Sequence, residues 1–426
     1  MLHTILVQLD YRSILACQTT CIRVKALVER TLELQYIIKL GASAMCEGPD
    51  ARPLNFSERM RRLQAYEDAR AGDTLELQEL PFVPALVGSE RRLRTSVNTL
   101  VLDTVEEDGL RVYVQQMPSA VRGIEESHWS LLISGDTRSV AAIDASQDVL
   151  VVRELRGNSD LDRGEHKVVV LMLALSTGEW HPSTISDPQT PMPWAPGYGD
   201  CRSVEVFGDR CAAICICLAT GAICIVVWNW KTWTRILEIV PSESVPTFTA
   251  RSQLTFLNDD YIAVTSGHPA ILVYALNVNA DHEAGRLPTA FLLPYIEFKP
   301  QVTLMPCSGV SGTDHAGLFH PAAATRMLSL HLTLLVPTGL SRIQRAEELL
   351  LMVPADTLLA HVSTGPVQAT VEVRWSRWGP SGSRLAPFPT GTENPEGSRR
   401  IAIARVGRFF PGARCAGAVD GGARVR

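Results

Sequence analysis

Four cysteines crowd one short stretch of the chain: Cys211, Cys215, Cys217 and Cys224. Thiolates are soft ligands, so metal binding is the first chemistry to weigh. Their spacing is C-x3-C-x-C-x6-C, whereas a structural zinc site needs paired CxxC knuckles. On a strand, residues 211, 215 and 217 share one face and Ile214, Ile216 and Leu218 the other. Both faces are then apolar, and the expectation is buried free thiols inside a sheet. His315, His320 and His331 stand near Asp314 and Cys307, but no HExxH or HxH spacing joins them. No GxSxG elbow occurs, and the loop GVSGTDHAG is glycine-rich without the lysine of a phosphate-binding loop. Arg23, Arg59, Arg61 and Arg62 are interleaved with Glu and Asp, which makes a solvated face and not a nucleic-acid patch. Trp228, Trp230, Trp233, Trp375 and Trp378 fall at strand ends, where they pack between sheets. No catalytic residues, metal site or cofactor are expected from these patterns.

The elements that position these residues differ along the chain. Leu2, Ile5, Leu6 and Leu9 repeat as one helical stripe, and Asp10 follows as a cap. Ile14, Cys17, Cys21, Val24 and Val28 form a second stripe. Leu34, Ile37, Ile38 and Leu40 form a third, with Gly41 as its C-cap. Three short helices with so little core expect a partner surface or the rest of the chain. Residues 46–54 read as a linker. Asn55 and Glu58 have capping-box spacing at the start of a charged helix, with Met60 and Leu63 inward, that bridges two domains. From about residue 97 strands come at short intervals, among them TLVLDTV, LRVYVQQ, DVLVVREL, CAAICICL, AICIVVW, AILVYAL, MLSLHLTLLV, LLAHVS and QATVEVRW. Only LSRIQRAEELLLM offers a helical alternative. Residues 97–390 divided by about 42 per blade give about seven degenerate propeller blades.

Composition agrees with a folded, globular chain. In 426 residues 46% are hydrophobic and 20% charged, with a net charge of −5. That charge argues against nucleic acid or an anionic membrane as partner. The twenty uncharged residues from Cys211 to Trp230 could span a bilayer by length alone. The Thr220-Gly221 turn at their centre and the β-branched runs on either side make a buried hairpin instead. MLHTILVQLDYR lacks the features of a secretory signal, and the scattered cysteines suit a reducing cytoplasmic or nuclear compartment.

The N-terminal stripes carry a family resemblance. ILVQLDYRSILACQTTCIRVKALV resembles the F-box of proteins from mushroom-forming fungi. Ile5-Leu6, Leu9-Asp10, Ile14-Leu15, Cys17, Thr20-Cys21, Arg23, Ala26-Leu27-Val28, Glu33-Leu34-Gln35-Tyr36 and Leu40 match its pattern. DASQDVLVV, LSTGEWHP, VVWNWKTW, FLNDDYIAV and VRWSRWGPSGSR look like recurrent blocks of the same group. Ile22 departs from the pattern where a basic residue is usual, and Trp233 where glycine is usual. A left-handed backbone at that turn would be awkward for Trp, so the turn must differ or carry strain. The sequence also opens inside the first F-box helix, without the Leu-Pro turn that normally precedes it.

The resemblance implies an α+β multidomain chain. Its parts are an F-box at 1–41, a linker and bridging helix at 42–96, a large all-β, propeller-like domain at 97–390 and a low-order tail at 391–426. It implies a substrate-recognition subunit of a cullin–RING ubiquitin ligase, docked on a Skp-type adaptor through Leu2, Ile5, Leu6, Leu9, Ile14, Leu15, Cys17, Cys21 and Val24. The β domain would then bind a target protein. The alternative is an interaction scaffold on a propeller without ligase coupling.

Overall fold

The computed structural model describes residues 1–43, 45–71, 92–96, 99–118, 124–134, 138–157, 166–184, 198–217, 222–240, 248, 252–266, 269–276, 287–293, 301–305, 318–321, 326–337, 344–362 and 370–387. The tail at 391–426, Asp314, His315, Cys307 and the GVSGTDHAG loop lie outside them. The chain divides into two compact units, a helical one built from the N-terminal residues and a sheet unit that holds nearly all the strands.

The helical unit has four N-terminal helices where three stripes were expected: α1 (Leu2–Leu6), α2 (Tyr11–Gln18), α3 (Ile22–Arg30) and α4 (Leu32–Ala42). Asp10 caps α2 as expected, its Oδ1 accepting from the Arg12 and Ser13 amides at 2.9 and 3.0 Å. The second stripe is broken between α2 and α3. The Thr19 and Thr20 hydroxyls donate back to the Ala16 and Cys17 carbonyls, each at 2.7 Å, and take the acceptors a continuing helix would use. Gly41 lies inside α4 and is not its C-cap. A Cβ there would sit 2.3 Å from the Tyr11 ring, so glycine allows α4 to pass close to α2. Leu6, Ile14, Val28 and Leu34 form the core of these helices.

The next helix, α5 (Phe56–Ala71), packs on α4 and does not stand free as a bridge. Leu63 is fully buried, Phe56 meets the Tyr36 ring at 5.8 Å and Lys39 pairs with Glu67 at 3.0 Å. Asn55 Oδ1 accepts from the Glu58 amide at 2.9 Å, which is half of the expected capping box. The Glu58 carboxylate turns to Arg61 and Arg62 instead, and these hydrogen bonds hold it down at about 2.

Among the described residues five sheets, antiparallel but for one strand, follow one another in the sheet unit, against the seven that chain length suggested. Sheet 1 is Arg92–Ser96, Thr99–Glu106, Gly109–Gln116 and Ser127–Ser134. Sheet 2 is Arg138–Asp144, Val149–Gly157 and His166–Ala174. Sheet 3 is Tyr198–Phe207, Arg210–Cys217, Ile223–Asn229 and Thr234–Ile239. Sheet 4 is Leu254–Phe256, Tyr261–Thr265, Ala270–Ala275 and Thr289–Leu292, and Val371–Val373 joins it in parallel. Sheet 5 is Gln301–Met305, Met327–Pro337, Gln344–Pro354 and Arg384–Pro387.

Each strand pairs mainly with its chain neighbour, and the first strands of sheets 1 to 4 touch in succession. Sheets 1 and 2 share one apolar cluster, 2 and 3 a second, 3 and 4 a third, and 4 and 5 a fourth. Sheets stacked face to face through their own serial order are the arrangement of a propeller, and the unit is a five-bladed, propeller-like domain.

Three stretches change type relative to the sequence pattern. The LSRIQRAEELLLM segment supplies a strand, Gln344–Pro354, paired along its whole length with Met327–Pro337. LLAHVS begins in a short helix, α6 (Ala355–Leu359). The strand ending in VRW stops at Val373, and Trp375 to Gly382 form helix α7. Trp375 and Trp378 therefore lie on a helix, and Trp378 is buried against Phe291 with its indole N–H on the Leu292 carbonyl at 3.2 Å.

Candidate functional site

The nine side chains expected to meet an adaptor fall into three groups. Leu6 and Ile14 are buried and hold the helices together. Leu9, Cys17 and Val24 pack partly against that core. Leu2, Ile5, Leu15 and Cys21 are exposed, Ile5 by 54%. The division follows from geometry, because one apolar stripe cannot both close a small core and face outward. Ile22, the departure from the F-box pattern, is 85% exposed at the first position of α3. Leaving a large aliphatic in water forgoes about 1.5–3 kcal/mol per side chain, and this small unit leaves several of them so. His3 reaches Glu33 at 3.2 Å and ties α1 to α4.

In the sheet unit the cysteines behave as core. Cys211 and Cys215 lie on one strand of sheet 3, and Cys224 pairs directly opposite Cys215, with Cys201 on its other side. All four are free thiols. Burial pushes the Cys211 and Cys215 thiols well above the ordinary value, which keeps them protonated and unreactive. Ala212 and Ile214 face the opposite cluster, so the strand is apolar on both sides as its sequence implied. Among the described residues no group of His, Cys, Asp or Glu is arranged to hold a metal ion, and no helix is long and apolar enough to cross a membrane. Trp230 is buried with its indole N–H on the Gly208 carbonyl at 2.8 Å, and Trp228 is buried in the cluster between sheets 2 and 3. Trp233 does adopt a left-handed backbone, φ 58°, so the turn keeps the conformation that glycine would favour. Its ring packs on that same cluster.

A polar centre that sequence reading missed joins three sheets. Arg326, just before the second strand of sheet 5, donates from Nη2 to Glu205 Oε1 of sheet 3 at 2.5 Å. Thr255 of sheet 4 donates to the same oxygen at 2.8 Å. The guanidinium lies 4.5 Å from the Phe207 ring centroid. Burial pushes the Glu205 carboxyl up to about 7, against the pull of Arg326 and Thr255. The three residues are far apart in the chain and each is ordinary in its own context, so no local signal marks them. Similar polar ties join sheets 1 and 2, where Asp103 accepts from the Val140 amide at 3.1 Å, and sheets 2 and 3, where Gln147 donates to the Gly208 carbonyl at 2.9 Å. These contacts fix the stacking of the sheets and show no reacting groups.

No protein-family model matches the chain, and no curated protein sequence matches it. Among solved structures it is similar to the WD40 domain of coronin from Toxoplasma gondii, at 14% identity and a TM-score of 0.31. That likeness covers 62% of this chain and 55% of the coronin chain, so it spans about half of that protein. BamB from Moraxella catarrhalis is similar at 9% identity and a TM-score of 0.22, over 56% of this chain and 68% of that one. The fold assignment rests on the sheet order and shared cores, which these faint likenesses do not alter.

Proposed function

We propose that the chain is a non-catalytic adaptor. Its helical unit docks on a Skp-type adaptor of a cullin–RING ubiquitin ligase, and its propeller-like unit binds the protein to be modified. The observation that carries this reading is the exposure of Leu2, Ile5, Leu15 and Cys21, residues of the F-box-like pattern that the unit's own core does not use. Helix-in-groove recognition needs such side chains, because an apolar groove on a helical partner can cover what the small unit cannot bury itself. The propeller-like unit supplies a rigid scaffold with loops at its edges, which suits target binding without chemistry.

The test is co-purification of the full chain with a Skp-type adaptor from a mushroom-forming fungus, beside an Ile5→Asp/Leu15→Asp variant. The expected result is capture by the wild type and loss in the variant, with the variant's thermal melt unchanged. If the wild type captures no adaptor while an established F-box protein does, ligase coupling is excluded and a scaffold without it takes its place.

A further inference from the structure

Charge on the helical unit is unevenly spent. Its N-terminal acids are engaged internally: Asp10 caps α2, Glu29 pairs with Lys25 at 3.8 Å and Glu33 with His3 at 3.2 Å. Arg23 and Arg30 have no acidic partner among the described residues, and both are exposed. Seven residues apart on α3, they share one flank of the helix, about 100° or less around the axis from Ile22. The inner side of α3 is Val24, Leu27 and Val28, all packed on the core. The outer side of α3 thus carries Ile22 and the exposed pair of Lys25 and Glu29, with the two unspent guanidinium groups on one flank. An Arg fork is weakly hydrated and matches carboxylates, so such a face favours acidic surfaces over basic or neutral ones.

Building on the adaptor reading above, we infer that the α3 face selects an acidic partner. A Skp-type adaptor seated on the exposed apolar residues places carboxylates against Arg23 and Arg30 and an apolar contact against Ile22. Electrostatic pairs at the edge of an apolar contact act mainly on encounter rate and partner choice, and salt screens them over about 8–10 Å.

The experiment measures the affinity of the full chain for a purified Skp-type adaptor at 50 and 500 mM NaCl. It uses wild type, Arg23→Glu/Arg30→Glu and Leu15→Asp. We expect wild-type binding to weaken about tenfold at the higher salt. The double reversal should bind about tenfold or more weakly at low salt, and its binding should not weaken further as salt rises. Leu15→Asp should weaken binding at both salts alike. A thermal melt of each variant checks that these exposed changes leave the fold intact. If the double reversal binds like wild type while Leu15→Asp does not, the charge inference is overturned and the adaptor reading stands. If wild type binds at neither salt, the adaptor reading fails and carries this inference down with it.

Discussion

The two units bury their apolar residues to different extents. In the sheet unit four clusters join successive sheets and side chains as large as Trp230, Trp378, Phe256 and Phe291 are fully buried, while Val105, Leu132, Val240 and Leu385 stay exposed. The helical unit closes its N-terminal helices on Leu6, Ile14, Val28 and Leu34 and leaves Leu2, Ile5, Leu15, Ile22 and Leu32 in solvent. Burial follows area, and short helices have little inner face to offer. A sheet stacked on both sides has two. The comparison separates a unit with stacked sheets and large buried cores from one whose short helices bury only a few apolar side chains.

Several substitutions would break or sharpen that contrast. The largest expected effect is Trp378→Ala, which empties a buried site between Phe291 and Trp375 and should cost the sheet unit about 3–5 kcal/mol in urea unfolding. A loss under about 1 kcal/mol would show that α7 is not integral to that core. Next comes a pair of neighbours on α2. Ile14→Ala should cost about 2–4 kcal/mol and Leu15→Ala no more than about 0.5, read from helical circular dichroism against urea. Equal losses would erase the distinction between the inner and outer stripes.

Glu205 gives a pH test of the sheet unit. Its folded carboxyl is raised to about 7 from an ordinary 4.5, chiefly by burial. The folded state therefore keeps a proton that the unfolded chain releases at lower pH. Its contribution should decline as pH rises from about 4.5 to about 7 and then level off, a change of about 3 kcal/mol. Glu205→Gln should flatten this part of the profile in denaturant melts run from pH 5 to 8; an unchanged slope would assign it to other groups. The smallest effect is expected at Trp233. Glycine there removes the left-handed strain of about 1–2 kcal/mol but also the ring's packing, so the net change in urea midpoint should stay within about 1 kcal/mol.

Much of this architecture was legible in residue order. The strand runs from Thr99 onward carry their own boundaries in Gly, Asp and Asn, and the cysteine hairpin is apolar on both faces in sequence as in space. What escaped was decided by contacts between distant residues or by single hydroxyls. Thr19 and Thr20 end α2 by bonding back to its carbonyls, an act invisible to a hydrophobic stripe. QRAEELLLMV has helical spacing, yet its pairing with Met327–Pro337 makes it a strand. Division by a standard blade length overcounted the sheets, because sheet 5 alone reaches from Gln301 to Pro387 with Val371–Val373 of sheet 4 set inside it. The N-terminal stripes marked where helices α1 to α3 run but could not say which of their residues the core would claim. The Arg326, Glu205 and Thr255 centre had no precursor in local pattern at all.

The late return of the chain to sheet 4 bears on how the protein is made. Val371–Val373 completes sheet 4 beside Thr289–Leu292, and Arg384–Pro387 completes sheet 5 beside Gln344–Pro354. During synthesis sheet 4 lacks its parallel strand and sheet 5 its last strand until residues 371–387 have been made. Chains cut short before Val371 would lack both strands and Trp378, a buried member of the apolar cluster that sheets 4 and 5 share, and would be more exposed to aggregation or proteolysis.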